Sequence, residues 1–204
     1  MQTVASEPSV AKRKFSTRDL INVGVFTALY FVVVMIGHGL GMINPLLALV
    51  GFAVGILGNG AVIALYLARV PRLGALTLTI GLMGLLMAAT GHPWFSLLIC
   101  PAVGFIGDLI AWSGRFVSQW RNAVAYGVAT LWHIVPMLPL VLDTAGQYEH
   151  LVERRGQEYA DGYVAIFSGT NLAWAMLLFF GLAVVAGFFG QRLLSRHFRR
   201  AGVA

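Results

Sequence analysis

The sequence carries one cysteine, Cys100, inside an apolar run. That excludes an intrachain disulfide and any cysteine-based metal cluster, and leaves Cys100 as a small packing residue. Charge is scarce as well: Asp, Glu, Lys and Arg make up 11% of the chain, against about 25% in a soluble domain. A water-facing surface cannot be built from so few charges, so the composition reads as an integral membrane protein. No glycine-rich loop followed by Lys and Ser or Thr is present, so the chain has no phosphate-binding loop with which to hydrolyse ATP. The apolar stretches are continuous rather than alternating, which excludes a β-barrel and leaves helical spans.

What the sequence has instead is hydrophobic residues, at 58%, and 24 glycines, which suit helices packed backbone to backbone in lipid. Six apolar runs can be marked, at about Leu20 to Ile36, Pro45 to Ala68, Leu73 to Ala89, Trp94 to Trp112, Ala123 to Leu142 and Ser168 to Leu194. The predicted fold is an all-α integral membrane bundle of six transmembrane helices. Its membrane domain spans 19–195, between a polar tail at 1–18 and a basic tail at 196–204. Pro136 and Pro139 should kink the fifth span and leave carbonyls without partners. The third and fourth runs are joined by Thr90-Gly91-His92-Pro93-Trp94, where proline forces a turn.

Basic residues set the orientation. With the amino terminus inside, the inner segments hold Lys12, Arg13, Lys14, Arg18, Arg69, Arg72, Arg115, Arg121, Arg192, Arg196, Arg199 and Arg200, and the outer segments only Arg154 and Arg155. The positive-inside rule then places both termini in the cytoplasm. These residues are helix-flanking anchors, so the net charge of +6 does not call for a nucleic acid partner. The acids Asp143, Glu149, Glu153, Glu158 and Asp161 fall in the last outer loop. That loop, 143–161, is long enough for a short amphipathic helix over the bundle mouth, acting as a lid or merely solvated.

With this topology, His38, His92, His133 and His150 share the outer side. Singly each reads as an interfacial imidazole, but His133 lies within a span, where an ionisable group usually faces a cavity. The candidate ligand site comprises these four together with Trp94, Trp132, Tyr148, Asn171 and Trp174. Imidazoles and aromatics at one mouth suit a vitamin-like, tetrapyrrole or metal-chelate ligand. There is no chelating pair at helical spacing, and neither a resident metal nor a cofactor is expected. Gly24 and Ala28, and likewise Gly51 and Gly55, form small-residue grooves for close helix approach. Asp108, near the inner edge of a span, is expected to pair with a basic residue or contact a partner.

The segments Lys14-Phe15-Ser16-Thr17-Arg18-Asp19-Leu20-Ile21-Asn22-Val23-Gly24-Val25-Phe26-Thr27-Ala28-Leu29-Tyr30, Thr90-Gly91-His92-Pro93-Trp94 and Gly104-Phe105-Ile106-Gly107-Asp108-Leu109-Ile110 resemble the Trep_Strep, MptD-like group of S components of energy-coupling-factor transporters. That resemblance covers nearly the whole chain. It implies a six-helix substrate-binding subunit that joins a transmembrane coupling protein and two cytoplasmic ATPases. Gly24 and Ala28 stand where S components carry the small-residue motif that contacts the coupling protein, although both positions are usually alanine. The expected function is capture of a small molecule for ATP-driven uptake, with no catalysis by this chain. Two alternatives remain, a structural assembly subunit without a ligand and an intramembrane enzyme using His133 and Asp108. Against the enzyme, those two lie near opposite faces, beyond the roughly 3 Å reach of proton transfer.

Overall fold

The computed structural model describes residues 14–200. Lys12, Arg13 and the tail from 201 lie outside the described residues, as do the side chains of Arg196, His197, Arg199 and Arg200. Among the described residues the chain is helical without strands: α1 (Thr17–Gly41), α2 (Pro45–Arg69), α3 (Ala75–Ala89), α4 (Ser96–Ser113), α5 (Gln119–Thr130), a 3-10 segment (Leu131–Met137), α6 (Leu138–Leu142), α7 (Thr144–Arg155), α8 (Gln157–Phe167) and α9 (Gly169–Arg200).

Local chemistry fixes the helix starts. Ser16 caps α1 through a capping box with Asp19, whose Oδ2 accepts from the Ser16 amide at 2.8 Å. Asp19 is also ion-paired to Arg72 Nε at 2.7 Å, which ties the start of α1 to the turn after α2. Asn44 caps α2, with Pro45 in the first turn, where its missing N–H costs nothing. Among the described residues five helical stretches are long and apolar enough to cross a membrane: α1, α2, α4, the continuous 119–142 stretch and α9. The third expected span is shorter. α3 has 15 residues, about 22 Å at 1.5 Å per residue, against a hydrocarbon core of about 30 Å.

Glycines set the packing distances. Gly37 of α1 and Gly51 of α2 lie so close that a Cβ on either would overlap the other's carbonyl oxygen. Gly60 meets Ala186 and Gly190 across α2 and α9, and Gly84 meets Ser96 and Cys100 across α3 and α4. Burial is nearly complete around Tyr30, Tyr126 and Trp132, where the Trp132 indole N–H donates to the Tyr30 hydroxyl at 2.8 Å. The Tyr126 hydroxyl donates to the Ile56 carbonyl at 2.6 Å.

Asp108 takes a different role from the one expected. Its carboxyl oxygens accept from the Leu76 amide at 3.0 Å, the Thr77 amide at 2.8 Å and the Thr77 hydroxyl at 2.6 Å. The first turn of α3 begins at Gly74, which has no side chain to cap it, and a residue from α4 supplies the missing acceptors.

The fifth run departs from regular helix toward its proline-bearing end, starting earlier than the prolines themselves. Regular α-helix stops at Thr130, seven residues of 3-10 helix carry Pro136, and α6 restarts with Pro139 in its first turn. Beyond it, the segment read as one outer loop is a hairpin of two helices, α7 and α8, turned by Gly156 at φ 85°. The bundle therefore has one end built from the start of α1, the end of α2, the start of α3 and the α4–α5 turn. Its other end gathers the end of α1, the start of α2, the end of α3 and the α7–α8 hairpin.

Candidate ligand pocket

At the hairpin end lies a cavity of about 450 Å³. From α1 it is lined by Phe31, Met35 and His38, from α2 by Ala48 and Phe52, and from α3 by Met83, Leu86 and Met87. Gly41 and Met42 at the end of α1, Thr90 and His92 of the α3–α4 turn, Pro136 of the 3-10 segment, and Arg155, Tyr159 and Tyr163 of the hairpin complete it.

The sequence places these groups through ordinary helical geometry. Phe31, Met35 and His38 recur at the four- and three-residue spacing that shares one helix face. Tyr159, Tyr163 and Phe167 repeat every fourth residue along α8; the first two rings stack with centroids 6.0 Å apart, and Phe167 tilts against Tyr163 at 4.8 Å. Phe167 then meets Phe52 edge-on at 6.0 Å. Phe52 is the hub of the floor: His38 lies 4.8 Å from it and His133 5.5 Å, both edge-on.

The hairpin is tied down over this floor at two points. The Tyr159 hydroxyl donates to the Gly41 carbonyl at 2.9 Å, and Arg155 donates to the Met42 carbonyl at 3.3 Å. Arg155 also lies over the Tyr159 ring, 5.6 Å from its centroid. Burial pushes the Tyr163 phenol up to about 12 and raises Tyr159, Arg155 opposing the latter shift. Both phenols therefore stay protonated donors at neutral pH. Removing the Tyr159 hydroxyl as Tyr159→Phe should loosen the hairpin by about 1 kcal/mol. Hydrogen exchange of the 144–167 amides should quicken about fivefold while α2 and α9 are unchanged; equal exchange in the two proteins would rule out this tether.

The residues singled out from the sequence fall into three groups. His38 and His92 line the cavity, with His92 Nδ1 at 3.2 Å from the Thr90 hydroxyl. His133 and Trp132 lie behind its wall: His133 is 3% exposed, its Nδ1 pairs with the Thr130 carbonyl at 2.7 Å, and its ring is 6.4 Å from that of His38. The remainder lie away from the cavity. Trp94 is 70% exposed beside Phe95, Trp174 is 69% exposed, and Asn171 donates to the Ala165 carbonyl. Tyr148 donates to Asp161 at 2.7 Å on the hairpin, where His150 is exposed.

Of the lining residues only His38 and His92 belong to the ligand site expected from the sequence; Arg155, Tyr159 and Tyr163 of the hairpin and the apolar side chains of α1 to α3 were not singled out. The aromatic repeat of α8 carried a signal, but the polar stretch around it was read only as a lid or a solvated loop and its aromatic face was not picked out. No group of three or more His, Cys, Asp and Glu side chains among the described residues could hold a metal ion.

Described residues that are helical without strands, with five stretches among them fit to cross a membrane and a cavity at one end of the bundle, make a multi-pass integral membrane protein. The family model described as hypothetical bacterial integral membrane protein (Trep_Strep) matches residues 17–200. The chain belongs to that family, and its place is the bacterial cell membrane. No curated protein and no solved structure matches it.

Proposed function

We propose that the chain is the substrate-binding S component of an energy-coupling-factor importer, capturing a small organic molecule at its outer face. The observation that carries this reading is the cavity of about 450 Å³ at one end of the bundle, roofed by a tethered helical hairpin. That volume is within the roughly 300–1,000 Å³ of small-molecule sites. Orientation follows from charge: Arg69, Arg72, Arg115, Arg121 and Arg192 belong to the end opposite the cavity, which makes that end cytoplasmic and the cavity external. In this arrangement α3 completes a sixth span, with the bilayer thinned or its flanks drawn in to match its length. ATP hydrolysis belongs to two partner ATPases, and the chain does no catalysis itself.

The coupling protein is proposed to dock on the α1 face that carries Gly24 and Ala28. Both are exposed, a Cβ at Gly24 would meet nothing within 4 Å, and Leu20, Ile21, Val25 and Leu29 beside them are exposed as well. A neighbouring helix can approach closely there. Co-expression with the candidate coupling protein and ATPases tests the reading: the parent should co-purify with all three. Gly24→Leu should recover less than about a tenth as much while melting at the same temperature when isolated. A parent that recruits no coupling protein is the result expected of an assembly subunit of another kind, and would end the S-component reading. Full recovery by Gly24→Leu would move the docking face elsewhere.

A further inference from the structure

Charge around the cavity is one-sided. Arg155 is the cation on its lining, and no carboxylate lines it, although Asp143, Glu149, Glu153, Glu158 and Asp161 belong to the same hairpin region. Among the described residues Arg155 has no ion-pair partner; its contacts are the Met42 carbonyl and the Tyr159 ring. A guanidinium held at a cavity mouth by one carbonyl and one aromatic face has further N–H donors in a planar fork, the geometry that recognises a carboxylate. His38 adds a second open group: it lines the cavity, and its ring makes no hydrogen bond among the described residues. Much of the remaining lining is apolar and soft, with Phe52, Met83 and Met87 among it, and it suits a flat ring system.

We propose that the ligand is an anionic, carboxylate-bearing molecule with a flat apolar body, its anion held by Arg155 and its body against Phe52, Met83 and Met87. This rests on the reading of the cavity as a capture site and narrows it, since a cavity of about 450 Å³ takes a vitamin-sized acid more readily than a tetrapyrrole. It also predicts discrimination. A cation of the same shape meets Arg155 with no carboxylate to offset it, and like charges brought together in a partly dry site repel.

Three probes that share one body and differ in charge test this: 2-naphthoate, 2-naphthylmethanol and 2-naphthylmethylammonium. Binding is measured by equilibrium dialysis to the full chain in phosphatidylcholine nanodiscs, with empty nanodiscs as the blank. Naphthoate should bind at least about tenfold more tightly than the alcohol, the weight of a hydrogen-bonded charge, and the ammonium more weakly than either. Arg155→Gln should bring naphthoate and the alcohol within about twofold, and Arg155→Lys should keep part of the preference. Arg154→Gln removes the same formal charge from a side chain off the cavity lining and should leave the ratio unchanged. The proposal is overturned if the parent prefers naphthoate by less than about twofold, if no probe binds, if Arg155→Gln keeps the preference, or if Arg154→Gln abolishes it equally. The parent's own ratio decides even should a variant fail to fold. Equal binding of the three probes would remove the charge preference and leave the capture reading standing, whereas failure of the parent to recruit a coupling protein would do the reverse.

Discussion

Asp108→Ala should cost the protein about 3 kcal/mol or more of stability, read as a fall in melting temperature in detergent. The carboxyl group accepts from two backbone amides and one hydroxyl at the start of α3, and the site is fully buried. Alanine removes every one of those acceptors and admits no water to replace them, so donors are left unsatisfied in a dry interior. Asp108→Asn keeps one oxygen but turns an N–H₂ toward a donor, and it should lose about half as much. The experiment also bears on the intramembrane enzyme. An acid-base catalyst at this position would lose activity on Asp108→Asn with little change in melting, whereas a capping residue shows its loss in stability first. A melting temperature for Asp108→Ala equal to the parent's would end the capping account.

How the sequence came to disclose Asp108's depth but not its role is a matter of range. An acid within an apolar run is visible at once, and its expense in lipid says that something must satisfy it. The partners, Leu76 and Thr77, lie more than thirty positions away in sequence, and no local pattern points to them. Helix limits were legible for the opposite reason, because they are set by neighbours in sequence. The second run was expected from Pro45 to Ala68 and the helix spans Pro45–Arg69, since Asn44 and Pro45 at the start and Pro71 after the end are local signals. Pro136 and Pro139 pointed to an irregularity near the far end of the fifth run, but the regular helix already ends at Thr130, six residues before the first of them.

Helix rotation was much less legible. In a soluble helix the apolar stripe shows which side faces inward, but helices in lipid are apolar all round. On α9, Leu172, Ala175, Met176 and Phe179 are buried while Trp174, Leu177 and Leu178 are exposed, and nothing in that composition separates the two sets. Trp174 was therefore grouped with the ligand site by depth alone and faces outward instead. Trp94 was grouped with the site because Pro93 locks its turn, and its ring is 70% exposed, where an interfacial anchor belongs. His38 and His92 reach the cavity because their elements meet there, which their shared depth could suggest but not decide. The hairpin residues were missed because the polar stretch 143–161 was read only as a lid or a solvated loop, and the aromatic repeat that continues from Tyr159 to Phe167 was not picked out.

Where glycine does mark rotation, the signal is strong, and it leads to the second large effect. Gly37→Val should prevent the α1–α2 crossing from closing. Its Cβ would overlap the Gly51 carbonyl oxygen, and that obstacle is backbone, so no rotamer change relieves it. The reciprocal change, Gly51→Val, meets the Gly37 carbonyl and should behave alike. Forcing the helices apart costs at least about 1–3 kcal/mol of overpacking. The effect reaches function through register, since His38 adjoins Gly37 on α1 and Phe52 adjoins Gly51 on α2, and these two rings form the cavity floor at 4.8 Å. Gly39→Ala is the control: it lies two residues on, where a Cβ meets nothing within 4 Å. That change should be neutral or gain about 0.5–1 kcal/mol from the higher helix propensity of alanine. Melting temperature and naphthoate binding measured together on the three variants separate the outcomes. Gly37→Val and Gly51→Val should lose both, and Gly39→Ala should keep both. A Gly37→Val protein that melts with the parent would mean that the two helices do not cross at these glycines, and the floor of the cavity would have to be rebuilt from a different pairing.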